Sequence, residues 1–371
     1  MKPALQYPFP KVPAPGQTLT IAPGVLWLRM SLPLALDHIN LYLLEDEDGW
    51  WVVDTGMRGD STRKNWETVL ADPALGGKSV KAIVCTHCHP DHIGQAGWLS
   101  DRYKARLHMS GAEYFMGRVF CSPLSDGPLW EALDFYARSG ASPDFLERMG
   151  KGGRGFSAMA EPMPRSFHRL GDGDVLTIGG HRWEVVVGRG HSPEHLCLLD
   201  RARGLFLSGD QVIPIITSNV SVMAIEPEAN PLADWLDSHR RFLDTVPDDV
   251  LVLPAHNTPF RGLHARLGHL ISHHEEHLRA LEAACVEPRK ATELLPVIFK
   301  RELGPEQFSL AIGELVAHLH HLMASGRLVR NTAADGLDRY LATDPVRATR
   351  LRDGVHAAEE DTLMDFEAQA V

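Results

Sequence analysis

"CTHCHPDHIG", residues 85–94, places His87, His89, Asp91 and His92 within six positions. Histidine fills 20 of 371 positions, about 1 in 20, so three histidines and an aspartate at this spacing arise by chance at roughly one position in 10⁵. The segment follows an apolar run, Val80–Val84, that reads as a strand. Side chains two apart in extended backbone project to the same side, so His87 and His89 leave the strand end together. Pro90 then turns the chain, and Asp91 and His92 point in a new direction where a second cation fits. Cys88, between the first two histidines, is expected to point the opposite way and pack against the sheet.

One segment cannot complete two coordination shells, so the remaining ligands must come from other strand ends. Three fit. His191 in "GRGHSPEH" follows the run Trp183–Val187, Asp210 closes "GLFLSGD", and His256 closes "LVLPAH". Each stands beside small residues, where a loop brings backbone close to an ion.

Further apolar runs read as strands at Leu19–Ile21, Val25–Leu28, Ile39–Leu44, Trp50–Val53, Val175–Ile178, His195–Leu199, Gly204–Leu207 and Val250–Leu253. Helical patterns cover Ser61–Leu70, Gln95–Tyr103 and Leu232–Val246. Strands in two batches, each followed by helices, suggest two sheets between helical layers. Residues 109–163 carry eight aromatics and five methionines, too apolar for a solvated linker, and read as a helical insertion or lid. From about 264 onward the strand signals stop. Phe308, Ile312, Leu315, Leu319 and Leu322 form one stripe of a helix ending at Gly326, and the last forty residues read as a docked helix or loose tail. Seven histidines fall between 266 and 331, but His273 and His277 lack the glutamate directly after the first that a zincin helix needs. A solvated helix face is the expectation there.

The motifs resemble the metallo-β-lactamase-fold hydrolase superfamily. His87, His89, Asp91 and His92 match its His-x-His-x-Asp-His signature, and His191, Asp210 and His256 match its remote ligands. "VVDTG", residues 52–56, is similar to the family's Asp-Thr-Gly motif, which places Asp54 in a supporting role. The resemblance implies an α/β fold, an αββα four-layer sandwich with the metals at one edge. It further implies that His87, His89 and His191 hold one metal, that Asp91, His92 and His256 hold the other, and that Asp210 bridges them. "HHEEHLRALE" to "LVAHLHHLMASGRLVR" looks like the winged-helix domain of the glyoxalase II-like branch. The organisation expected is a catalytic domain over 1–263, a winged-helix-like domain over 264–331 and a tail over 332–371. Ala255-His256-Asn257 departs from the usual Gly-His-Gly, and Asp210 stands where one lactamase branch has cysteine, which argues against antibiotic hydrolysis.

Two divalent ions side by side lower the pKa of a bridging water to about 7 and supply hydroxide at neutral pH. Seven N/O ligands without thiolate suit zinc, and also accommodate iron or manganese. The reaction expected is attack on an ester, thioester or lactone carbonyl, with Asp91 as the proton carrier. Phosphodiester cleavage, by a ribonuclease for example, and iron-based sulfur or oxygen chemistry are the rival enzymes. A retired scaffold that only binds has no reason to keep seven ligands. A net charge of −11 argues against a nucleic-acid or anionic-lipid partner and leaves a small acyl-type substrate, with a homodimer among the assemblies allowed. No apolar run is long enough to cross a bilayer, the N-terminus has no signal-peptide core, and five scattered cysteines give no disulfide framework. A soluble cytoplasmic protein is expected.

Overall fold

A computed structural model describes residues 5–33, 36–122, 130–152, 155–300, 303–304 and 307–354. The apolar runs of the first half become β1 (Thr18–Ala22), β2 (Val25–Ser31), β3 (His38–Glu45), β4 (Gly49–Val53) and β5 (Ser79–Val84), joined by β6 (Arg106–Met109) and β7 (His168–Arg169). They form one sheet in that spatial order, antiparallel from β1 to β4 and parallel from β4 to β7. The second sheet runs β12 (Leu251–Pro254), β11 (Leu205–Gly209), β10 (His195–Asp200), β9 (His181–Gly188), β8 (Val175–Ile178). Only its β11–β12 pair is parallel.

Period-two alternation builds two cores. Val25, Trp27, Tyr42, Leu44, Val53 and Val84 of the first sheet share a core with Trp183, Val185, Val187, Leu198, Leu207 and Leu253 of the second. The opposite face of the first sheet, with Met30, Leu41, Leu43, Val52 and Ile83, packs on Trp66 and Val69 of α1 (Asp60–Leu70), Ile93 of α2 (Pro90–Ile93), Leu99 of α3 (Ala96–Tyr103) and Tyr114 of α4 (Gly111–Phe120). Behind the second sheet, Phe206 meets Phe242 of α8 (Pro231–Thr245) edge to face, 5.8 Å between ring centres. The expected sandwich is what forms, with one helical layer outside each sheet.

The chain divides into two compact units. Residues 1–127, 153–218 and 235–269 make the first, which holds both sheets; 128–152, 219–234 and 270–371 make the second. The 109–163 segment holds α4, α5 (Trp130–Arg138), α6 (Pro143–Gly150) and α7 (Phe156–Met159). Its middle belongs to the second unit, where Phe145 lies between Tyr136 and Phe308, ring centres 5.3 and 4.8 Å away. The second unit also takes the C-terminal part of α9 (Leu263–Ala284), then α10 (Ala291–Ile298) and α11 (Phe308–Ala324). On α11 the stripe Ile312, Leu315, Leu319 and Leu322 is fully buried.

The expectation that strands stop at 264 is corrected. β13 (Arg289–Lys290), β14 (Leu328–Thr332) and β15 (Asp338–Ala342) form a third sheet in the order β13-β15-β14, so the stretch from 332 is in part a strand. The signal is weak because the strands are short and only one face is covered. Leu328, Tyr340 and Ala342 are buried, while Val329, Asn331 and Thr332 are exposed.

Candidate metal centre

Every motif residue sits where a strand of the first unit ends. After β5, Thr86 and His87 leave the first sheet, and Pro90 starts the single turn of α2 that carries Asp91 and His92. Gly94 closes that turn. A Cβ there would lie 2.5 Å or less from Pro90 O, Arg58 N and Gly56 O, so only glycine lets the turn reach the Asp54–Gly56 segment. His191 lies between β9 and β10, Asp210 follows β11, and His256 follows β12.

These ends bring the seven predicted ligand residues together in two groups. One ligand atom from each of His87, His89, His191 and Asp210 lies within 4.8 Å of the others, and the same holds for Asp91, His92 and His256. Asp210 reaches into both. Its Oδ2 is 3.4 Å from His191 Nε2 and 3.5 Å from His92 Nε2, and its Oδ1 is 3.2 Å from His256 Nε2.

Whether an ion fits is decided by the donors. His87 Nε2 stands 2.8 Å from His89 Nδ1 and 3.2 Å from His191 Nε2, three imidazole nitrogens facing one point. His92 Nδ1 donates to Asp54 Oδ2 at 2.8 Å, and His256 Nδ1 donates to the His38 carbonyl at 2.8 Å. Because those partners only accept, each ring keeps Nε2 as the atom aimed inward. His92 Nε2 and Asp210 Oδ1 are buried without a hydrogen-bond partner. A divalent cation bound by N and O donors satisfies all of these atoms.

The electrostatics agree. Burial, then the neighbouring histidines, hold His87 well below the usual imidazole range. Burial and His191 bring His89 down to about 3. Burial also opposes charge on His92, but the carboxylates of Asp54, Asp91 and Asp210 outweigh it and hold the ring well above its ordinary value. His256, likewise opposed by burial, is raised to about 10 by Asp210 and Asp91. Burial raises Asp210 less than His256 and His92 lower it, so it stays a carboxylate. The second group thus calls for positive charge, while the first offers neutral nitrogens.

Asp54, from the early motif, is buried with a left-handed backbone, φ 60°. Besides His92 it accepts from Thr86 N at 2.8 Å and Thr86 Oγ1 at 2.9 Å. It therefore fixes the start of the ligand segment and one of its rings. Cys88 is buried in the core under the first sheet together with Ile83 and Cys85; the chain bends after β5, so strand alternation does not set its direction.

Four contributors escaped the sequence reading. His195, given no role there, is buried, stacks on His87 with ring centres 4.8 Å apart, and accepts the Asp210 N–H at 3.1 Å. Asn40 donates to the carbonyls of Pro254 and Asn257, and Arg29 to that of Asn257, steadying the loop of His256. Glu113, on α4, accepts backbone N–H groups from two ligand loops. None carries a motif; only the fold brings them here. His38, the first residue of β3, holds the His256 segment, through its carbonyl and by accepting the Asn257 N–H at 2.9 Å.

Residues 34–256 match the family described as the metallo-beta-lactamase superfamily, and the chain belongs to it. Residues 278–343 match a further family, the metallo-beta-lactamase-like C-terminal domain. The crystal structure of a beta-lactamase domain protein from Burkholderia ambifaria is similar over 91% of this chain and 98% of its own, at 42% identity and a TM-score of 0.84. "Probable metallo-hydrolase YqjP" of Bacillus subtilis is 24% identical over 319 residues, 81% of this chain and 92% of that protein. "Acyl-coenzyme A thioesterase MBLAC2" of Gallus gallus is 26% identical over 242 residues, 64% of this chain and 79% of that one. Family and relatives support a hydrolase. Among the described residues no helix is long and apolar enough to cross a membrane.

Proposed function

We propose that this chain is a dinuclear-metal hydrolase acting on the acyl carbon of a thioester or ester, lactones included. The observation that carries the reading is Asp210, whose two oxygens approach histidines of both groups. Divalent ions bound there, zinc by the donor set, would supply Lewis acidity and an acidified water. His87, His89 and His191 with Asp210 would hold one, and Asp91, His92 and His256 the other. Asp91 lies at the face of its group, 3.4 Å from His256 Nε2. His92 helps keep it ionised against its burial, so its oxygen is able to take the proton of an attacking water and return it to the leaving thiolate or alkoxide.

The acyl class rests on chemistry and on kinship. The thioesterase relative points to a thioester among the candidate acyl bonds, and a net charge of −11 disfavours a nucleic-acid substrate. The β14–β15 hairpin after α11 supports a winged-helix reading of the C-terminal part, and carries its boundary past 331 to Ala342. Cysteines that are all free and buried fit a reducing compartment such as the cytoplasm.

The test is metal analysis of protein purified without chelator, followed by turnover of thioester, ester, lactone and cyclic-phosphate panels. About two metals per chain and preference for acyl substrates are expected. Asp210→Ala should lose at least one metal and lower turnover at least about a hundredfold. Full metal and turnover in that variant, or preference for the phosphodiester, would sink the reading.

A further inference from the structure

Glu113 is a fully buried carboxylate that the proposed chemistry does not use. It stands in the first turn of α4, whose start is capped by the Ser110 hydroxyl accepting the Glu113 N–H at 3.4 Å. Its carboxylate looks away from its own helix. Oε2 accepts the Cys88 N–H at 3.0 Å, and Oε1 accepts the Glu194 N–H at 2.7 Å. Cys88 lies between His87 and His89, and Glu194 is three residues after His191. Glu194 answers in kind: its Oε2 accepts the Ala112 N–H at 3.2 Å. One side chain thus ties together the two loops that carry the histidines of the first group, one loop from each sheet.

We infer that Glu113 is a positioning residue, a strut that sets the spacing of His87 and His89 against His191. The Asp91–His92–His256 group has its own supports, Asp54 and the His38 carbonyl. Loss of the strut should therefore weaken one group and spare the other. A carboxylate is required because its partners are all donors, the two backbone N–H groups together with the side chains of Ser192 and Cys88. A glutamine has one accepting oxygen and would set its own NH₂ against the second donor, leaving that buried N–H unpaired.

The inference rests on the reading of the two groups as metal sites, and the experiment separates the two. Full-length chain stripped of metal is titrated with zinc against a chromophoric chelator, which resolves two binding constants. In Glu113→Gln one constant should fall about ten- to a hundredfold, the range for residues that orient ligands, while the other stays within about threefold. Removing His191 as well, in the double variant, should abolish only the constant already weakened, which identifies it. Ser110→Ala removes the cap of the same helix and should lower the melting temperature without moving either constant. Glu113→Asp keeps both acceptor oxygens, and should recover part of the lost affinity; it also serves if Glu113→Gln does not accumulate folded. Unchanged constants, an equal fall in both, or a Ser110→Ala effect on zinc as large as that of Glu113→Gln would overturn the strut. Failure of the unsubstituted chain to take up zinc would instead overturn the metal-site reading.

Discussion

Two histidine clusters occupy this molecule, one in each unit, and they behave as different materials. In the first unit, His92 and His256 stand against Asp54, Asp91 and Asp210, their Nδ1 atoms spent on fixed acceptors and their Nε2 atoms facing the cluster. In the second, His274 Nδ1 pairs with His318 Nε2 at 3.0 Å, and His318 Nδ1 donates to the Glu314 carbonyl at 2.8 Å. His273 and His277 lie one helical turn apart on α9, ring centres 4.2 Å from each other. Burial, then His273, His318 and Lys300, brings His277 down to about 3, and burial holds His318 at about 4. Among the described residues only the first cluster yields groups with metal-ligand spacing. Imidazole density does not make a cation site; carboxylates that want charge, and nitrogens kept bare by a partner on the other side of the ring, do.

The strongest way to break that contrast is Asp54→Asn. The amide cannot hold both Thr86 and the His92 proton as the carboxylate does. Zinc affinity of the Asp91–His92–His256 group should fall about ten- to a hundredfold, the mirror of the Glu113 result, read by the same competition titration. Equal affinity would remove Asp54 as the ring's anchor.

Acid sharpens the contrast from the other side. His318 titrates near 4 in the fold and near 6.5 in an unfolded chain. Between those values the unfolded chain binds the extra proton, so this contribution is present in full above about pH 6.5 and is lost as pH falls towards 4. The loss should reach roughly 2 kcal/mol. Urea unfolding of metal-free chain at pH 7 and pH 4.5, compared between parent and His318→Gln, measures it, and the variant should lose about that much less stability in acid. Parallel pH dependence in parent and variant would show that His318 carries none of it.

The smallest effect is expected at His273→Ala. Metal content should not change, and stability should move by no more than about 0.5 kcal/mol. Loss of a metal equivalent would turn the second cluster into a binding site and erase the distinction.

What could be read in advance followed the strength of local signals. Strands of the two large sheets showed because both faces of each are covered, so Val25–Leu28 or Leu41–Leu44 is continuous apolar sequence. The ligand positions showed because metal chemistry compresses its residues into a short spacing on one strand end. β14 and β15 did not, since each has only five residues and interleaves a half-buried arginine, Arg330 or Arg339, with its apolar positions. Glu113, His195 and Asn40 did not, because each serves a residue at least 15 positions away in sequence, as Glu113 serves Glu194. Such partners are set by topology, and topology is not local.

The reach of Asp210 and His256 has a bearing on how the molecule is made. The segment with His87, His89, Asp91 and His92 leaves the ribosome long before β11 and β12 exist. A nascent chain therefore exposes four strong donors with Asp54 already made but none of the later ligands present, open to whichever ion arrives first. Discrimination among metals must wait until the second sheet has closed over the first, so the identity of the bound ion is decided late, after synthesis has passed residue 256.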